Sequence, residues 1–195
     1  QTGNELLQVR PENGHFVATI RKHAEAQAGR EAAGTPQASA RDKTIIVFSS
    51  DLDRVMAAFI IANGAASMRQ KVTLFFTFWG LNVLRKPGAP SGNKPLMDKL
   101  FGWMMPAGPD RLGLSKMNMA GLGTAMMKRT MRNKKVAPLA ELMATAKKGG
   151  VRMVACAMSM DVMGIHREEL IDGIEIGGVG TYLDATSTAN ANLFI

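Results

Sequence analysis

Residues 44–80 read TIIVFSSDLDRVMAAFIIANGAASMRQKVTLFFTFWG. The run Thr44–Phe48 is apolar and β-branched without a break, and small polar residues end it. Strands covered on both faces have this composition, because neither side meets water. Ser50 or Asp51 then caps a helix over 52–70, in which Val55, Ala58, Phe59, Ala62 and Ala65 fall on one stripe. VTLFFTFWG, at 72–80, is a second buried strand. Strand, helix, strand is the start of a parallel sheet.

Outward from this core the pattern continues. APLAELMATAKKGG (137–150) predicts a helix closed by glycine, and VRMVACAM (151–158) another buried strand. HREELIDG (166–173) reads as a short helix and IEIGG (174–178) as a short strand. VGTYLDATSTANA (179–191) reads as a last helix and NLFI (192–195) as an edge strand. The expected fold class is α/β, a three-layer sandwich around a mostly parallel, doubly wound sheet.

The N-terminal part is of another kind. NELLQV and HFVATIRK alternate around the turn residues RPENG, a hairpin signal. A lone hairpin is marginal in water, so 1–22 read as the last strands of a truncated domain. Residues 23–42, rich in Ala and Gly, read as a linker, and 43–195 as the main domain.

The net charge of +8 is local. Residues 85–135 carry eleven basic and two acidic side chains, and eight of the fifteen methionines. This Met-rich basic insertion interrupts the α/β pattern. LMDKLFGWMM (96–105) predicts an amphipathic turn, and 113–135 a helix with Met117, Ala120, Thr124, Met127 and Met131 on one stripe. Phe101 and Trp103 are its only aromatic residues, which argues against nucleic acid. Its two readings are an element packed on the sheet and a docking surface. No apolar stretch reaches the roughly eighteen residues of a spanning helix. At most a weak membrane-surface contact is expected. A single cysteine cannot form an internal disulfide, so a cytoplasmic location is expected.

Ligands in open α/β sheets sit at the carboxyl ends of the strands. Ser49–Asp51, Thr77–Trp79 and the lone Cys156 are all expected there. A helical turn starting in SMDVMG would face Cys156 with free N–H groups, which favour a sulfur anion. Met158, Ser159, Met160 and Asp161 are then its neighbours, with Met153 and Met163 completing a polarizable wall. Burial as an inert core residue is the competing reading. One thiol excludes an internal dithiol mechanism. His15, His23 and His166 are scattered, so neither a metal site nor a thiol–His pair is indicated, and His166 reads as a capping or surface residue. A single thiolate can still accept sulfur as a persulfide and hand it on.

The stretches TIIVFSSDLDRVMAAFIIANGAASM, KVTLFFTFWGLNVLRK and ACAMSMDVMG closely resemble the DsrE/DsrF-like family, in its branch of long sulfurtransferases, over about 43–195. The resemblance implies a three-layer α/β fold, Cys156 as persulfide carrier, and a homo-oligomer. It also implies sulfur-donor and acceptor proteins of TusA-like and rhodanese-like type, and no cofactor. Residues 1–22 resemble the end of a TusA-like domain. The expected function is therefore a sulfur carrier or sulfurtransferase. Cys156 is its catalytic residue, supported by Ser49, Asp51, Trp79, Met158, Ser159, Met160 and Asp161. The alternatives are a nucleotide- or flavin-binding α/β module, for which no glycine-rich fingerprint stands after the first strand, and a membrane-surface docking protein. A further expectation is that 85–135 helps build the oligomer interface and borders the thiol.

Overall fold

The computed structural model describes residues 5–12, 15–21, 42–88, 102 and 104–195. The chain divides into two compact units, Gln1–Gln37 and Ala38–Ile195. In the first, β1 (Glu5–Glu12) pairs antiparallel with β2 (His15–Arg21), with a register shift between Leu6 and Gln8. The expected linker lies outside the described residues except for Asp42, which opens the next strand.

The second unit holds five strands: β3 (Asp42–Val47), β4 (Val72–Phe76), β5 (Arg152–Cys156), β6 (Glu175–Gly177) and β7 (Ala189–Phe194). They form one sheet in the order β6-β5-β4-β3-β7, and every neighbouring pair is parallel. Register aligns Ile45 with Leu74, and Leu74 with Met153. Side chains alternate along a strand, so this row and the next one, Ile46, Phe75 and Val154, point to opposite faces.

One face carries the main core. Ile45, Val47, Leu74, Phe76, Met153 and Ala155 pack there against helix Leu52–Ser67 and helix Leu139–Lys148. The five stripe residues expected in the first helix are all buried, and Phe59 stacks on Phe76 at 6.1 Å between ring centres. Burying a side chain of this size is worth about 1.5–3 kcal/mol. Asn63 Nδ2 donates to Leu142 O and ties the two helices together. The helix N-cap is Asp51, but its carboxylate does not cap the helix and instead pairs with Arg54 at 3.4 Å. The first N–H, that of Leu52, donates to Gly113 O at 2.7 Å, so the middle segment supplies the acceptor.

The other face is covered by helix Val179–Ser187, which completes the third layer. This helix stops at Ser187 and β7 begins at Ala189, so the expected long helix and four-residue strand are redrawn in favour of the strand. Pairing with β3 wins over helix propensity at 189–191. Thr44 Oγ1 and Asn192 side chains bond across that pair.

In the middle segment, 96–101 and Trp103 lie outside the described residues. Helix Leu122–Asn133 starts later than the expected 113–135. Met117, Met119 and Ala120 hold positive φ, and a Cβ on Gly123 would stand 1.8 Å from Met117 O. The chain folds back on itself there, which a continuous helix forbids. Among the described residues no helix is long and apolar enough to cross a membrane.

Candidate active site around Cys156

β5 ends at Cys156, and helix Ala157–Val162 begins at the next residue with Cys156 as its N-cap. An N-cap side chain lies beside the first N–H groups of a helix, which have no partner within it. In the sheet, Cys156 is aligned with Gly177, the last residue of β6. Helix Val179–Ser187 starts just beyond, capped by Gly178. The starts of two helices therefore lie at the carboxyl ends of the neighbouring strands β5 and β6.

Cys156 is 5% exposed and clusters with Phe75 and Val154, with Tyr182 packed against that cluster. The Phe75 and Tyr182 rings lie 5.4 Å apart. Gly177 is needed for this closeness: a Cβ there would meet Thr181 Oγ1 at 2.8 Å and a Val154 methyl at 2.9 Å. Ser159 is fully buried, and its hydroxyl bonds the Thr77 hydroxyl at 2.7 Å. That bond sews the end of β4 to the helix that Cys156 caps, and such a bond is worth about 1 kcal/mol.

The residues singled out in the sequence separate into groups. Ser49, Asp51, Thr77 and Trp79 all follow the ends of β3 and β4, on the same edge of the sheet as Cys156. Ser49 is buried, and its Oγ accepts the Asp51 N–H at 3.0 Å, shaping the strand-to-helix turn. Trp79 and Met158 are about half exposed, and Asp161 is exposed. Met160 packs into the main core with Met153, and Met163 lies against it. Of the expected methionine wall, Met153, Met160 and Met163 thus belong to the opposite face and Met158 to the surface; strand alternation sends 153 and 154 to different sides. Phe75, Val154 and Tyr182 stand at the thiol instead. Sequence reasoning missed Tyr182, although it is the chain's one tyrosine, since only the sheet order brings it to the cluster around Cys156.

His166 caps the turn Arg167–Glu169, reciprocally with Glu169. Among the described residues no three His, Cys, Asp or Glu gather as a metal site would require. A cavity of about 400 Å³, lined by Lys43, Lys71 and Arg152 among others, opens at the amino ends of the strands, away from the thiol.

The model of the DsrE/DsrF/DrsH-like family matches residues 40–194. The chain belongs to this family. As a DsrE-like protein it is 48% identical over 152 residues to the uncharacterized protein YrkE of Bacillus subtilis (strain 168), covering 78% of this chain and 95% of YrkE. It is 35% identical over 159 residues to the sulfur carrier protein DsrE2 of Allochromatium vinosum, covering 77% of this chain and 96% of DsrE2. Among solved structures, YchN of E. coli aligns over 80% of this chain and 99% of its own, at 14% identity and a TM-score of 0.46.

Proposed function

We propose that this DsrE-like chain is a sulfur carrier in cellular sulfur trafficking, with Cys156 as the group that is loaded. The observation that carries the reading is the position of the lone thiol, at the carboxyl end of β5 where the next helix begins, aligned with the end of β6. The likeness to a protein named as a sulfur carrier supports it. The Cys156 thiolate attacks the outer sulfur of a donor persulfide. The donor's S–S bond breaks, an S–S bond to Cys156 forms, and the donor leaves as its thiolate. One sulfur atom and its proton change hands with no net oxidation. The reverse sequence, with a partner's thiolate attacking, unloads the protein.

The finer parts of the proposal concern partners. Donor and acceptor are TusA-like or rhodanese-like proteins, and residues 1–22 are the end of a TusA-like domain joined by 23–42 to the domain 43–195. The chain is a homo-oligomer, in which 85–135 lies at the interface. The exposed apolar side chains of Met104, Met117, Met119, Leu122 and Met126 support that placement, since an interface would cover them. A reducing, cytoplasmic compartment suits a lone carrier thiol.

Intact mass after prolonged incubation with glutathione persulfide tests the central claim. The wild type is expected to gain about 32 Da per added sulfur, removable by reductant, and Cys156→Ser to gain none. No gain in the wild type, or the same gain in Cys156→Ser, ends the sulfur-carrier reading.

A further inference from the structure

A carrier thiol has to meet a second sulfur end-on, so access decides its rate. Cys156 is 5% exposed, and helix Val179–Ser187 lies over its cluster. That helix buries none of its residues. Four of them, Thr181, Tyr182, Ala185 and Thr186, are half-buried, and three of these are small. Tyr182 is the one large side chain among them, and it rests on Phe75. The helix also touches β3, β6 and β7, but over the cluster that holds the thiol its one large contact is this ring. Two glycines stand at its root. Gly178 and Gly180 flank its first residue, and a Cβ at either would meet nothing within 4 Å. Elements with few buried contacts open first in a folded protein.

We infer that helix Val179–Ser187 is a lid, latched by Tyr182 on Phe75, which slows the reaction of Cys156 with free thiols and small sulfur donors until a partner lifts it. The inference rests on the sulfur-carrier reading and adds how that site is kept selective. Tyr182 is then a specificity-determining residue, and the sulfur atom passes much faster within a docked complex than from a small donor.

The test is the rate of Cys156 alkylation by iodoacetamide on the full chain, compared with the same chain unfolded in urea. The folded wild type is expected to react at least about a hundredfold more slowly, as sealed groups exchange only through opening. Tyr182→Ala should react about tenfold or more faster than the wild type with the cooperative melting transition kept, and Tyr182→Phe, which keeps the ring, should stay slow. Gly178→Ala with Gly180→Ala stiffens the root where side chains have room, so labelling should slow several-fold. That pair carries the test should Tyr182→Ala fail to fold. A wild type that labels like the unfolded chain, a Tyr182→Ala no faster than the wild type, or a glycine pair without effect overturns the lid. The mass assay separates the two ideas. If Tyr182→Ala labels fast yet gains no sulfur, the lid stands and the carrier reading falls. If the wild type labels at the unfolded rate and gains sulfur readily, the lid falls alone.

Discussion

Removing the carboxylate of Glu169 should destabilise the fold more than removing its partner as well. Arg85 and Glu169 are 6% and 2% exposed, with Arg85 Nη2 and Glu169 Oε2 at 3.3 Å. The same Nη2 donates to Gly102 O at 3.3 Å, and Glu169 Oε1 accepts the His166 N–H at 2.9 Å. Around the pair, Lys86 N–H donates to Glu169 O and Ile171 N–H to Leu84 O, so it joins the chain leaving β4 to the chain before β6. Glu169→Leu leaves a guanidinium shut away from water without its counter-charge. Breaking a buried pair in this way costs about 3–5 kcal/mol. For a unit of this size that lowers Tm by about 6–20 °C. Arg85→Met combined with Glu169→Leu removes both charges of this pair and should recover part of the loss. The exposed pair Arg152–Glu175, at 38% and 53% exposure, should matter little, about 0–1 kcal/mol. Urea unfolding followed by circular dichroism measures all of these. A loss below about 1 kcal/mol for Glu169→Leu, or a double variant as unstable as both single losses added, refutes the reasoning.

Two further outcomes follow from local geometry. Gly80→Ala would set a Cβ 2.0 Å from Val47 O, and both atoms are fixed to backbone, so a loss of about 1–3 kcal/mol or more is expected in the same assay. A variant as stable as the wild type would show that the end of β3 yields freely. Asp53 is pushed up by burial, but hydrogen bonds from the Ser115 hydroxyl and N–H, its own N–H and nearby Arg54 outweigh that and hold it below 3.8. A carboxyl lowered on folding adds stability above its unfolded value and loses it as pH falls through the folded one. The stability gap between wild type and Ser115→Ala should therefore shrink between about pH 6 and pH 3, and a gap that widens toward acid would contradict it.

Much of this architecture was open to reading because burial writes plainly. TIIVF and VTLFF are apolar on both faces, which only a covered central strand tolerates, and Val55, Ala58, Phe59, Ala62 and Ala65 keep strict helical spacing. Position along the strand also carried Cys156 to the right edge of the sheet. What could not be read depends on contacts distant in sequence. The left-handed turn at 117–120 arises because Gly123 passes over Met117 O, and no periodicity encodes that approach. Met160 was assigned to the thiol by proximity in sequence, while the helix turns it into the main core. Tyr182 reaches the cluster around Cys156 only because β6 is the neighbour of β5, a fact of sheet order.

That order has a consequence for biosynthesis. β7 pairs with β3, and some 140 residues separate Val47 from Ala189. While the chain is being made, β3 can already join β4, but its other edge offers a row of unpaired N–H and C=O groups until the last strand emerges. Such an edge is a template for any extended segment nearby. Sheet closure is thus a late, long-range event, slow by virtue of the loop that must be closed. A nascent chain stalled before 189 would present a half-finished sheet to its neighbours, and clumping of such truncated products is its natural fate.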